Sequence, residues 1–152
     1  MMKRQNNSNN FQSTSSCRYL LQVHLIFVVK YRKKLLNRSL KDDMLQKLFE
    51  ISKKYDFEIK TMNSDINHLH MLVLMKPSVS ISQIVRVLKQ ESTIYIWKKY
   101  KQLLKLHFWK EHTFWSDGYF VASIGNANEK TIQKSIFKNK VMNDIMPIHG
   151  NL

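Results

Sequence analysis

The feature that most restricts the fold is the stretch 68–75, which reads His-Leu-His-Met-Leu-Val-Leu-Met. Residues that alternate along a strand point to opposite faces of a sheet, and here both sets are largely apolar. A strand that is apolar on both faces is expected in the middle of a sheet, because an edge or half-exposed strand alternates with polar residues. The stretch therefore predicts a central strand.

The segments on either side supply the elements that such a strand needs. Strand composition is found at 19–30, 57–65 and 119–125. Apolar residues recur at helical spacing in 40–55 and 81–100, and Ser80 is placed to cap the second of these helices. The segment 101–118 is predicted to be irregular, and a last helix opens near Asn128. This order predicts an α+β domain of the ferredoxin-like or RNA-recognition type, in which an antiparallel sheet carries its helices on one face.

Length and composition place limits on the remaining classes. A chain of 152 residues suits one domain, and its Asn-, Ser- and Gln-rich residues 1–17 are expected to form a disordered N-terminal tail. The only cysteine, Cys17, excludes an internal disulfide framework and favours a reducing cytoplasm. No apolar run approaches the roughly 20 residues of a membrane span, and no secretory signal is evident. The expected location is therefore the cytoplasm.

The net charge indicates the class of partner. The sequence has 25 Lys and Arg against 11 Asp and Glu, which gives a formal charge of +14. Such an excess favours a polyanion, and nucleic acid more than a membrane surface, because phosphates are the densest fixed negative charges available.

Two histidines head the central strand. His68 and His70 are two residues apart, so their side chains point to the same side and lie roughly 6.5 to 7 Å apart along the strand. They are candidates for half of a metal site, with Asp65, Asn67 and His24 as possible neighbours, although such a pair is more often a set of ordinary polar residues. A closed zinc site is not favoured, because the chain lacks the cysteines and the histidine spacing. A partly open site suits a catalytic divalent ion that polarises a phosphate.

Four motifs together resemble a known family. They are KYRKKLL at 30–36, NHLHMLV at 67–73, FWSDGYFVASIG at 114–125 and NEKTI at 128–132. In this order they are similar to the single-tyrosine HUH transposases of small bacterial insertion sequences, the IS200-like group. HUH denotes His, a hydrophobic residue and His, which here is His68-Leu69-His70. The resemblance covers about residues 19 to 134.

The resemblance implies a definite chemistry. Members of this family bind DNA hairpins near the ends of the element, act on single strands, and form homodimers whose sheets join. An Mg²⁺ or Mn²⁺ ion held by the histidine pair activates the phosphate, and a tyrosine on the last helix attacks it to give a 5′-phosphotyrosine. Candidate DNA contacts, each with solvated surface charge as the alternative, are Lys30, Tyr31, Arg32, Lys33, Lys34, Arg86 and Lys89.

The last helix departs from the family pattern. Ser135 stands where the nucleophilic tyrosine belongs, and Asn139 stands where a glutamine would be the third metal ligand, so Asn139 is a weak ligand at most. A serine side chain is too short to reach the same phosphate, and an alkoxide leaves less readily than a phenolate. This copy is therefore expected to be catalytically impaired. Tyr95, Tyr100 and Tyr119 do not occupy the family position and are read as core or surface aromatics.

A frameshift explains both departures. Residues 134–140 can be encoded as AAA AGT ATA TTC AAG AAC AAG, and reading two bases later gives Lys-Tyr-Ile-Gln-Glu-Gln. The transposase domain would then span 18–134, and 135–152 would be a divergent C-terminal tail read out of frame. A Ser135 codon that does not end in T would exclude this hypothesis.

Two other functions remain open at this point. One is a non-catalytic module or repressor that binds single-stranded DNA or RNA. The other is a metal-dependent nuclease that uses water as the nucleophile. The Trp115-Ser116-Asp117-Gly118 segment is read as a structural turn in all of these cases.

Overall fold

The computed structural model describes residues 12–13 and 17–124. In chain order its elements are β1 (Gln12–Ser13), β2 (Arg18–Tyr19), β3 (Leu21–Val28), α1 (Arg38–Lys54), β4 (Phe57–Ser64), β5 (His68–Met75), α2 (Ile81–Lys99), α3 (Lys101–His107) and β6 (Phe120–Ser123). A short 3₁₀ turn, Lys30–Arg32, follows β3.

The main sheet has four antiparallel strands in the order β4-β5-β3-β6, and β1 and β2 form a separate two-stranded ribbon. Strand β5 lies between β4 and β3, as its apolar composition predicts. The α+β architecture, with an antiparallel sheet and helices packed on it, is confirmed.

One face of the sheet forms the core with the helices. Its residues alternate along β3, continue to Val29 just after it, and alternate along β5. Most of them are fully buried: Val23, Leu25, Phe27, Val29, Leu69, Met71, Val73 and Met75. Apolar residues of α1 and α2, among them Met44, Leu48, Ile84 and Leu88, belong to the same cluster. The period of two in a strand and the 3.6-residue period of a helix thus place these side chains in one layer.

The start of α2 agrees with the sequence in detail. The Ser80 side chain accepts a hydrogen bond from the Gln83 backbone N–H, and the Gln83 side chain accepts one from the Ser80 N–H. This reciprocal capping box satisfies two donors that the helix itself leaves unpaired.

The segment 101–118 is more regular than the sequence predicts. Residues 101–107 form helix α3, so the expectation of an irregular segment is wrong there. Leu104 is fully buried, whereas Leu103 and Leu106 are exposed, so the helix has a single strong anchor in the core. A pattern with one buried leucine in seven residues does not distinguish a helix from an aromatic loop.

The ends of the predicted elements also shift. Helix α1 begins at Arg38, two residues earlier than expected, so Asp42 and Asp43 lie beyond its first turn. Gln12–Ser13, inside the predicted tail, pairs with Arg18–Tyr19. The last predicted helix, with Ser135 and Asn139, falls outside the described residues.

No helix in the described part of the chain is long and apolar enough to cross a membrane.

A candidate histidine site beside a basic loop

The second face of β3 and β5 carries the histidines. His68 and His70 alternate with Leu69 and Met71, which belong to the core, so both imidazoles point away from the helices. Both are buried, with 8% and 3% of their surface exposed. The structure therefore places the two side chains on one face, as their spacing predicts.

His24 of β3 joins this face. In the antiparallel register Ile26 lies opposite His70 and His24 lies opposite Leu72, which makes His24 a diagonal neighbour of His70. The His24 Nδ1 and His70 Nε2 atoms are 2.5 Å apart, and the two rings stack with their centroids 4.5 Å apart. One of these nitrogens must donate and the other must accept, so the two rings cannot both be in the cationic imidazolium form at this contact.

His68 is held by its neighbour in the chain. The Asn67 Oδ1 lies 2.9 Å from the His68 Nδ1, so this nitrogen carries the proton and donates it to the amide oxygen. A partner on one ring nitrogen fixes the tautomer and the ring orientation, as is typical of histidines that ligate metals through the other nitrogen.

Burial keeps these rings neutral near pH 7. Loss of hydration, together with smaller effects of the charges of His24 and His68, lowers the pKa of His70 to about 4. The pKa of His68 is also lowered by burial, which Asp65 partly opposes. Neutral imidazoles have the lone pairs that a metal ion requires.

The donor set fits part of a metal centre. Within residues 12–13 and 17–124, no group of three or more His, Cys, Asp or Glu is arranged to hold an ion. Two neutral imidazoles can supply two ligands of a divalent cation, and the remaining positions would be filled from outside this set. Imidazole ligands are more typical of transition metals than of Mg²⁺, which prefers oxygen.

The basic loop begins next to this face. Val28 lies opposite His68, and the Val29 N–H donates to the Asn67 carbonyl at 2.9 Å. Residues 30–34, the basic loop, follow immediately. The register of β3 and β5 thus brings the predicted phosphate-binding segment to the end of β5 that carries His68.

The backbone of this loop is unusual. Tyr31 has φ 60° and ψ 20°, and Arg32 has φ 51°, so two consecutive residues other than glycine are left-handed. Such a conformation costs on the order of 1–3 kcal/mol per residue, and residues held in it cluster at functional sites. The Tyr31 side chain is 57% exposed.

One acidic residue binds two side chains of the loop. The Glu111 Oε2 lies 3.3 Å from the Lys30 Nζ and accepts a hydrogen bond from the Tyr31 hydroxyl at 3.4 Å. Partial burial lowers the pKa of Lys30, but the hydrogen bond and the charge of Glu111 raise it above its usual value. Sequence reasoning missed Glu111, although an acidic residue in a chain so poor in them is a possible signal.

Lys33, Lys34 and Arg86 differ from Lys30. None of them takes part in an ion pair among the described residues, and Lys34 and Arg86 are exposed. The charges of Lys34 and Arg86 therefore face solvent, where a phosphate can approach them.

Lys89, also predicted to contact DNA, points inward. Its Nζ donates to the carbonyls of Ser116, Asp117 and Gly118 at 2.7, 3.3 and 2.8 Å. The same atom lies 5.2 Å from the centroid of the Phe27 ring and 5.8 Å from that of Tyr119. Burial lowers the pKa of Lys89 to about 8, which Asp117 opposes, so the side chain remains mainly charged near pH 7.

The other tyrosines have structural surroundings. The Tyr100 hydroxyl donates to the Asp43 carboxylate, and Tyr95 packs against the core beneath Lys47. Tyr119 lies beside Lys89 and is 36% exposed. The reading of all three as core or surface aromatics agrees with these contacts.

A sheet with helices on one face, buried neutral imidazoles on the other and a cationic loop at the end of the strands fits the class of proteins that act on nucleic acid. Comparison with known proteins makes the class definite. Residues 17–139 match the family described as "Transposase IS200 like". The chain therefore belongs to the IS200-like transposase family, enzymes of DNA transposition and recombination.

Several relatives support this assignment. The ISDra2 transposase TnpA of Deinococcus radiodurans is 30% identical over 118 residues, which cover 78% of this chain and 83% of the relative. The transposase of insertion sequence IS200 from Salmonella typhimurium is 29% identical over 123 residues, which cover 78% of this chain and 77% of the relative.

Solved structures support the fold. A crystal structure of a transposase candidate from Deinococcus radiodurans R1 has a TM-score of 0.71 at 23% identity, covering 82% of this chain and 95% of the other. A REP-associated tyrosine transposase bound to a REP hairpin has a TM-score of 0.52 at 16% identity, and the match covers 80% of this chain and 68% of the other.

Proposed function

We propose that this transposase binds single-stranded DNA hairpins at the ends of an insertion sequence through the basic loop, and that the histidine face receives the scissile phosphate. The observation that carries the proposal is the register of β3 with β5. It brings two neutral imidazoles, His68 and His70, to the same end of the sheet as residues 30–34. A scissile phosphate held by the loop would then lie near the histidines.

The histidine pair is proposed to hold Mn²⁺ or Mg²⁺. Such an ion, when bound, polarises a phosphate oxygen and neutralises the charge that develops during cleavage. The chain's own part is to keep His68 and His70 neutral by burial and to fix the His68 ring through Asn67. Asn139 remains a weak third ligand in this proposal.

The loop is proposed to bind the DNA backbone and one base. Lys33 and Lys34 would contact phosphates, together with Arg32 and, on the second helix, Arg86. Tyr31 exposes more than half of its surface in a strained conformation, which suits stacking against an unpaired base. Lys30 would contribute after exchanging Glu111 for a phosphate oxygen.

We further propose that this copy cleaves DNA poorly or not at all. Ser135 occupies the position of the family nucleophile, and the frameshift hypothesis accounts for it. The family also implies a homodimer, and we propose the same assembly for this chain. If cleavage has been lost, what remains is a module that binds single-stranded DNA, which is the second candidate function.

The decisive experiment combines a binding and a cleavage assay. Purified protein is incubated with Mn²⁺ and a labelled single-stranded element end that carries a hairpin, and denaturing gels are searched for a covalent protein–DNA species. We expect salt-dependent binding and no covalent species. A covalent species in the wild type would refute the loss of activity, and an absence of any DNA binding would refute the proposed function.

Two variants separate the candidate functions. H68A/H70A should abolish Mn²⁺ binding measured by calorimetry and leave most hairpin affinity intact. Ser135→Tyr alone should not fully restore cleavage, because the glutamine four residues later is also absent.

A further inference from the structure

We propose that Lys89 is a positioning residue, which fixes the turn at 116–118 and through it holds strand β6 beside the histidine face. The proposal replaces the expectation that Lys89 contacts DNA. It rests on the proposed function only in treating the histidine face as the functional site.

The first step is the geometry around the ammonium group. Three successive carbonyls, of Ser116, Asp117 and Gly118, lie within 3.3 Å of the Lys89 Nζ. A lysine ammonium has three donors and no acceptor, so one side chain can serve all three carbonyls. The Phe27 and Tyr119 rings lie beside the same cation and partly replace its lost hydration.

The second step is that the turn is held at one side by the sheet. The Ser116 N–H donates to the Val28 carbonyl at 2.8 Å, and Trp115 bridges to Val29. The Trp115 indole N–H donates to the Ser92 hydroxyl of α2 at 3.0 Å. Lys89 supplies the second link from α2, three residues before Ser92, and it acts on the carbonyls that lead directly into β6.

The third step connects the turn to the histidines. Strand β6 has only four residues, and within the described part of the chain its strand partner is β3. Phe120 lies opposite Ile26, and Ala122 lies opposite His24. A strand this short has few ladder hydrogen bonds of its own, so its register depends on how the turn delivers it. Loss of the Lys89 link would therefore disturb the strand that flanks His24.

The principal experiment is hydrogen exchange, followed by mass spectrometry, on wild type and K89M. Methionine keeps the apolar stem and removes the three donors. We expect the amides of residues 119–124 to exchange about tenfold faster, the size expected from losing a buried hydrogen bond. Exchange in β4 should change little. Equal acceleration in β4 and β6 would show general destabilisation and would overturn the proposal.

Two controls separate positioning from the loss of stability or of charge. L48A removes buried volume on α1, where Leu48 is fully buried in the core, so it should destabilise the fold without selecting β6. K89R keeps the positive charge, but the donors of its planar guanidinium do not radiate from one nitrogen toward the three carbonyls. It should therefore restore protection only in part. Full protection in K89R would show that charge alone suffices and would overturn the three-donor argument.

A second measurement tests the rival role in DNA binding. For single-stranded DNA, the slope of log affinity against log salt concentration should decrease in magnitude by about 0.7 for each phosphate contact removed. We expect no change of slope in K89M and a decrease in R86M. A decrease in K89M equal to that in R86M would overturn the proposal. If the wild type binds no DNA, the proposed function fails, while the exchange experiment still decides the role of Lys89.

Discussion

The two faces of β3 and β5 differ in what their residues contribute. On the helix face, Leu25, Leu69 and Met71 are fully buried against α1 and α2 and provide apolar contact. On the other face, His24 and His70 are nearly as buried, but their polar nitrogens lose hydration, which a hydrogen bond between them partly replaces. The comparison teaches that strands with a two-residue period can stabilise the fold on one face and keep reactive groups on the other.

The largest expected effect is on the helix face. Leu69 lies between the two histidines in sequence and points into the core, so Leu69→Ala should lower the free energy of unfolding by about 2–5 kcal/mol. Urea denaturation followed by circular dichroism measures this change. A loss below about 1 kcal/mol would mean that the helix face is loosely packed, which would contradict its role in stabilising the fold.

An intermediate effect is expected from pH in the metal-free protein. The folded-state pKa of His70 is about 4 and that of His68 is lowered as well, so the unfolded chain binds these protons first as the pH falls. Stability from the neutral rings is complete above about pH 6.5 and is lost as the pH falls toward 4. Thermal unfolding between pH 7 and 5 measures it.

The H68L/H70L variant is the matched control for this profile. It should show a flatter dependence of the unfolding temperature on pH over the same range, because the two imidazoles whose pKa values are lowered by burial are absent. An identical slope in wild type and variant would assign the acid sensitivity to other residues.

The smallest effect on stability is expected when both partners of the histidine contact become apolar. Replacing two hydrogen-bonded groups by apolar groups of similar size is often nearly neutral, so H24L/H70L should change the free energy of unfolding by less than about 1 kcal/mol. Binding of Mn²⁺ should nevertheless be lost, as calorimetry would detect. A large loss of stability would show that the histidine face also supports the fold.

Much of the fold can be predicted from local patterns. The run after His70 predicts a central strand, apolar spacing predicts α1 and α2, and Ser80 predicts the cap, because each signal depends on neighbours in the chain. Helix α3 escapes prediction because Leu104 alone faces the core. The roles of Glu111 and Lys89 escape it as well, since each depends on partners more than 25 residues away in sequence.

The amino-acid sequence alone places His68 and His70 on one face, since the geometry of a strand leaves two residues at that spacing no other arrangement. It also determined the excess of positive charge that favours a nucleic-acid partner. The packed fold sets which imidazole contacts His24, which cations face solvent and which one is enclosed by carbonyls. Those outcomes depend on strand register and helix packing, which are set by the burial of the whole core and not by any short stretch of the chain.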